Sequence, residues 1–223
     1  MSPARRRRPR PAKVKGRKPA AKAKASKPAA KPRVGKPAAP KARGSKPAAA
    51  KPAAPHSEGM WAEWFARAPG ERRYWLVKSE PETYSFDDLM RAPDQTTFWD
   101  GVRNFAARNF LRDGMKLGDR VFFYHSSTDP QAIVGICEVV REGYPDDTAF
   151  DRRHPGFDPE SRRDDPQWHA VDLRAVSRLS RPVTLAEIKA RPDLAQMALV
   201  RIGRLSVTPV RAAEWDVICA LGT

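Results

Sequence analysis

Apolar positions change their period several times along the chain, and each change marks an element. From Met60 to Ala68 the aromatics Trp61, Trp64 and Phe65 fall at i, i+3 and i+4, the spacing of one helix face, and Pro69-Gly70 ends the pattern. Arg73 to Lys78 is a short apolar and aromatic run of strand character, followed by a turn over Ser79 to Thr83. Ser85 then caps a short helix, Phe86 to Arg91, with Asp87 and Asp88 in its first turn. Beyond Pro93, the run Trp99-Asp100-Gly101-Val102-Arg103-Asn104 has no strand or helix period of its own. The spacing of Phe105, Ala106, Phe110 and Leu111 predicts a second helix from about Val102 to Arg112. Its N-terminus, beside Gly101, is expected to offer free backbone N–H groups to an anion or a base edge.

Leu117-Gly118-Asp119 reads as a turn, and Arg120–His125 and Ala132–Val140 as two strands around a polar loop. Residues 145–167 are charged, proline-rich and aperiodic, a length of loop that is usually functional or mobile. Strand character returns over Trp168–Leu179. Thr184 and Glu187 form a capping box that opens a helix to about Ala190. Leu205–Val210 reads as a short strand, and Arg211–Leu221 as a closing helix ending at Gly222. Strands outnumber helices and do not alternate with them, which predicts an α+β fold: a small β-barrel or curled sheet with flanking helices.

Charge divides the chain. The formal net charge is +16 over 223 residues, yet residues 1–55 hold 19 Lys/Arg and no acid, leaving 23 basic against 26 acidic residues beyond them. A strongly basic tail thus precedes a nearly neutral body of one-domain size. The expected organisation is a tail over 1–57, a short helical linker over 58–72, and a domain over 73–223. The tail carries the cluster Arg5, Arg6, Arg7 and Arg8, then Lys-Pro-Ala-Ala at Lys18, Lys27, Lys36, Lys46 and Lys51. Such a composition buries too little apolar surface to offset ordering entropy, and its prolines block continuous helix, so disorder is expected. Unpaired cations of this density release counterions from nucleic-acid phosphate and bind it without reading sequence. A flexible tail of this length sweeps roughly 40 Å and holds the domain at high local concentration on the polymer.

Two cysteines without CxxC spacing, Cys137 and Cys219, suggest neither a disulfide framework nor zinc. There is no run long enough to span a membrane and no apolar leader, so the expectation is a cytoplasmic protein, nucleoid-associated in a bacterium or nuclear in a eukaryote. Catalysis has little support. Ser126 and His125 are adjacent on a strand and point apart, so they form no triad. Asp151, His154, Asp158 and His169 are spread through a proline-rich loop whose spacing fixes no geometry, and no metal is expected. No cofactor-binding glycine motif occurs. The Trp99–Asn104 run, by contrast, packs aromatic, glycine, cation and amide together, as a loop that recognises something flat and polar would.

Several runs together resemble one family. Tyr74-Trp75-Leu76-Val77-Lys78-Ser79-Glu80-Pro81, Trp99-Asp100-Gly101-Val102-Arg103-Asn104 and Phe123-Tyr124-His125-Ser126 are followed by Val134-Gly135-Ile136, Glu138-Val139-Val140 and Tyr144-Pro145-Asp146. Trp168 with Val171-Asp172, Arg181 to Leu185 and Arg204 to Val207 complete the series, in order, from about Arg73 to Leu221. They resemble the EVE domain family. The resemblance implies a PUA-like fold related to domains that enclose one modified base of DNA or RNA in an aromatic-lined pocket. Phe105 stands where tyrosine is expected, and His169 where tyrosine or an apolar residue is commoner.

On that resemblance, a flipped base needs a π surface, in-plane hydrogen-bonding groups and cations for the flanking phosphates. Trp99 is the candidate stacking wall, with Trp168 completing the cage. Asn104 and the backbone at Gly101 and Val102 are candidates for the base edge. Lys78 and Ser79 leave the first strand toward the base or its phosphate, Tyr124, His125 and Ser126 end a strand at the same rim, and Ser206 is a further polar contact. Arg103 and Arg108 are candidate phosphate clamps. Each has a plain structural alternative: core filling for both tryptophans, a helix cap for Asn104, a solvated turn for Lys78 and Ser79. For the arginines it is an ion pair with Asp100 or Asp113, and for His125 a hydrogen-bonded structural role. Trp99→Ala is expected to abolish base discrimination and leave folding largely intact. The expectation is a monomeric nucleic-acid-binding module. Its rivals are a histone-like compacting protein acting through the tail and a nucleotide-acting enzyme.

Overall fold

The structure is a computed structural model, and it describes residues 59–223. The tail expectations for Arg5–Arg8 and for Lys18, Lys27, Lys36, Lys46 and Lys51 lie outside the described residues. Six strands alternate irregularly with short helices: β1 (Tyr74–Ser79), α1 (Phe86–Arg91), β2 (Thr96–Trp99), α2 (Phe105–Asn109), β3 (Arg120–His125), β4 (Ala132–Pro145), β5 (His169–Thr184), α3 (Leu185–Ala190), α4 (Ala198–Arg201), β6 (Val207–Val210) and α5 (Ala212–Leu221). They build one mixed sheet in the order β2-β5-β4-β3-β1-β6, with β1 parallel to β3 and the remaining pairs antiparallel.

The sheet is apolar on both faces, which explains why β1 and β3 read as continuous apolar runs rather than alternating ones. Trp75 and Val77 of β1 and Val121 and Phe123 of β3 enter one core with Phe86, Phe110 and Leu111. Leu76, Phe122 and Tyr124 enter the other with Ile188, Leu194, Trp215 and Ile218. The sheet also curls. In a flat sheet β2 and β3 would stand three strand spacings apart, about 14 Å. Yet the rings of Trp99 on β2 and Phe123 on β3 meet edge to face at 5.5 Å. Register shifts in β4 and β5 supply the bend. The ends β2 and β6 remain unpaired with each other, so the outcome is the open, curled form of the expected α+β fold.

β4 and β5 each run five residues past their expected ends and α4 is an unexpected short helix; three further differences bear on the site. The Met60–Ala68 segment forms only a 3-10 turn over Ala62–Trp64. It is held by docking: Trp61 meets Phe110 edge-on at 5.3 Å, Phe65 stacks on Phe110 at 5.7 Å, and Trp64 lies 6.0 Å from Trp75. Buried Asp119 ties this segment down, accepting from both Arg67 Nη atoms (2.7 and 2.6 Å), Arg73 N (3.0 Å) and Trp75 Nε1 (2.8 Å). The predicted Val102–Arg112 helix begins three residues later, at Phe105, and passes into a π turn over Phe110–Gly114. Thr96–Trp99, unassigned from the sequence, is an edge strand paired to β5.

Candidate nucleic-acid interface

A cleft of about 580 Å³ opens where the curl brings the end of β1 and its following turn near the end of β2. Lys78, Ser79, Glu80 and Tyr84 line one side, Thr97 to Arg103 the other, and Ser206 lies ahead of β6. Of the candidates, the fold thus brings Lys78, Ser79, Trp99, Gly101, Val102, Arg103 and Ser206 together, from three separate stretches of chain.

Backbone pairing sets the β1 rim. Lys78 N donates to Ser206 O (2.9 Å), continuing the β1–β6 contact past its last ladder pair, and Ser126 N donates to Ser79 O (2.8 Å). Ser79 Oγ donates to Tyr84 O (2.5 Å), closing the turn. Lys78 Nζ donates to Gly203 O at 2.6 Å. Burial lowers the Lys78 pKa, and no carboxylate pairs with the ammonium among the described residues.

The opposite rim is anchored from beneath. Asp146 is buried and accepts from Gly101 N (3.0 Å), Arg103 Nη1 (2.8 Å) and Thr148 N and Oγ1 (2.9 and 2.6 Å). Burial alone would raise its pKa. The hydrogen bonds from Thr148, Arg103 and Gly101 outweigh that and hold the carboxyl below its usual range. Gly101 has φ +70° and nothing within 4 Å of a would-be Cβ, so it turns the chain where a side chain would be strained. Asp100, in the same turn, lines the cleft with its pKa raised, first by burial and then by the neighbouring Asp146.

Several expectations are corrected. Arg103 is no free phosphate clamp. Besides Asp146 it donates to Gly156 O through Nε at 2.7 Å and to Thr148 Oγ1 at 3.2 Å, fastening the 145–167 segment. Its partner is Asp146, not Asp100. Arg108 donates to Gln167 O (2.6 Å) and Asn109 Oδ1 (2.8 Å), away from the cleft, with burial and Arg112 lowering its pKa. Asn104 caps α2, its Oδ1 accepting from Ala107 N at 3.1 Å. The helix starts three residues beyond the expected point, the cap takes up Ala107 N, and Asp146 holds Gly101 N, so Gly101 N is not the free donor expected. Trp168 is buried outside the cleft, donating to Asp158 Oδ2 (2.6 Å) and stacking on Phe105 at 5.2 Å. His125 Nε2 accepts from Phe86 N (3.1 Å), and burial lowers its pKa. Tyr124 and Ser126 line a neighbouring cavity instead, where the tyrosine hydroxyl donates to Gln131 Oε1 (2.8 Å).

Trp99 needs a correction in degree. It lines the cleft but is only 9% exposed and belongs to the core against Phe123, so Trp99→Ala would not leave folding intact. The residue missed is Phe98, 59% exposed and lining the cleft. Strand alternation was the available signal: once Thr96–Trp99 is a strand, an inward Trp99 sends Phe98 outward.

A larger cavity of about 800 Å³ lies on the far side of Phe98 and Asp100. Its lining carries Asp94, Asp100, Asp146, Asp147, Asp151 and Asp172 against Arg141 and His154. That excess of carboxylates repels a polyanion, so size does not select it as the nucleic-acid site. The smaller cleft offers a flat aromatic, a cation, hydroxyls and two carboxylates, Glu80 and Asp100, against six in the larger cavity.

No helix among the described residues is long and apolar enough to cross a membrane. The family model for the EVE domain matches residues 73–221. Human thymocyte nuclear protein 1 is 42% identical over 165 residues, covering 66% of this chain and 73% of that protein. Among solved structures, a hypothetical protein from Leishmania major superposes with TM-score 0.65 at 45% identity, over 68% of this chain and 95% of its own. A crystal structure of human THYN1 protein in complex with 5-methylcytosine containing DNA superposes with TM-score 0.66 at 41% identity, over 67% of this chain and 97% of that one. The matched span takes in both rims of the cleft and all six strands. The chain belongs to the EVE domain family.

Proposed function

We propose that the domain is a binding module that inspects a modified cytosine in DNA, taking the base into the cleft between β1 and β2. The observation that carries this is the cleft itself: exposed Phe98, with Lys78 and Asp100, around a space of about 580 Å³ open to solvent. A pyrimidine ring needs a π surface, and Phe98 offers one. A carboxylate is the natural acceptor for the cytosine amino group, the role open to Asp100. The Lys78 ammonium and the Ser79 and Ser206 hydroxyls are donors for ring oxygen and nitrogen acceptors. The homologous human protein in complex with 5-methylcytosine containing DNA supports the choice of base and polymer. No nucleophile–base pair is needed for this role. Residues 1–57 supply sequence-independent phosphate affinity to a monomeric chain. Relatives named thymocyte nuclear protein 1 support nuclear DNA as the target in a eukaryotic host, with the nucleoid as the bacterial counterpart.

The test is equilibrium binding of the full chain to oligonucleotides identical except for one 5-methylcytosine, across a salt series. The expected result is a preference for the methylated strand that persists as salt removes the tail's contribution. Equal affinity at every salt concentration would reject base reading and leave the tail-driven compaction role.

A further inference from the structure

Beside the cleft lies a second cavity of about 450 Å³. It shares Lys78, Glu80 and Ser206 with the cleft, so the two meet along one wall. Lys189, just before the end of α3, and Arg204, in the turn before β6, also line it. Most arginines of the domain are neutralised locally, as Arg67 is by Asp119, Arg103 by Asp146, Arg178 by Asp87 and Arg191 by Asp193. Lys78, Lys189 and Arg204 have no ion-pair partner among the described residues, and all three line this cavity. Its single acid, Glu80, accepts the Ser127 hydroxyl at 2.9 Å.

If a base enters the cleft, its sugar and phosphates stay at the mouth and the strand must leave across one of two flanks. One flank is the cavity with six aspartates. The other is the cavity of unpaired cations. Polyanion electrostatics selects the second. We propose that Lys189 and Arg204 hold the phosphodiester backbone next to the inspected nucleotide, with Lys78 standing between base and backbone. This assigns a backbone track to a surface of α3 and the β6 approach, and it rests on the base-reading role proposed above.

The experiment walks a single neutral methylphosphonate along an oligonucleotide bearing one 5-methylcytosine. Affinity of the full chain is measured for wild type, Lys189→Gln/Arg204→Gln and the charge-reversing Lys189→Glu/Arg204→Glu. Both side chains are exposed, so the substitutions do not disturb the cores. Tail contacts average over positions, so only a fixed contact gives a position-dependent loss. Wild type is expected to lose roughly three- to tenfold at one or two linkages beside the modified base, the scale of a charge-assisted contact. The glutamine variant should bind the all-phosphate strand more weakly by a similar factor and lose nothing further at those linkages, and the glutamate variant more weakly still. A methylphosphonate profile that is flat, or unchanged by the substitutions, overturns the inference and assigns the patch to another anion, an acidic protein partner included. That result with methyl preference intact leaves base reading standing, whereas a wild type without methyl preference removes both.

Discussion

Replacing Phe98 by alanine is expected to remove base discrimination at almost no cost in stability, and Trp99 is expected to behave in the opposite way. The reason is burial. Phe98 is 59% exposed at the mouth of the cleft, while its neighbour is 9% exposed and packed edge-on against Phe123. Truncating an exposed side chain changes stability by roughly 0.5 kcal/mol or less. Removing a base–aromatic stack costs about 1–3 kcal/mol, which is roughly a 5- to 150-fold loss in affinity for the methylated strand. Trp99→Ala instead opens a hole in the core that spans β2 and β3, at about 3–5 kcal/mol. That is a large part of the ~5–15 kcal/mol that holds a domain together. The informative quantity is the ratio of affinities for methylated and plain oligonucleotides, because the tail adds the same term to both. Fluorescence anisotropy gives the ratio, and thermal unfolding on the same samples reports the fold. A Phe98→Ala chain that melts normally and keeps the wild-type ratio within about twofold would show that the exposed ring is not the stacking surface.

Asp146→Asn should destabilise the chain by about 3 kcal/mol in denaturant melts, because it strips the counter-charge from a largely buried Arg103 while Gly101 N loses an anionic acceptor. The Asp146 pKa is lowered in the folded state, so its stabilisation is fully present above the unfolded value of about 3.9 and fades as pH falls through the folded value. The gap between wild type and Asp146→Asn should therefore narrow below about pH 4. A gap constant down to pH 2 would contradict the ionised pair. Gly135→Ala should cost about 1–3 kcal/mol, since the added Cβ would lie 2.3 Å from the ring of fully buried Phe86. An unchanged melting temperature would mean that α1 does not press on β4 at this point.

Legibility in the sequence followed the range of the interaction. β1 and β3 were readable because a continuous apolar run needs no distant partner to be recognised: β3 has the expected limits, Arg120–His125, and β1, at Tyr74–Ser79, lies one residue beyond the expected Arg73–Lys78. The caps at Ser85 and Thr184 were equally local, and the structure completes both as capping boxes, each closing on a carboxylate three residues ahead. β2 was not readable. Four residues carry too little alternation, and the strand exists because β5, bent by register shifts, pairs with it.

The same division holds for the site. Residue order alone determined that a basic tail precedes a nearly neutral domain. It also determined that the polar and aromatic chemistry gathers at Lys78–Ser79 and Trp99–Arg103, because charge content and short motifs are properties of neighbours along the chain. Tertiary structure alone decided which members of those motifs face the cleft. Arg103 found Asp146 and Gly156, Arg108 found Gln167, and Trp168 found Phe105 and Asp158, all but one of these partners more than forty residues away. A cation or ring is free for a ligand only when no such partner satisfies it, and the partner is known only once the chain has folded back on itself.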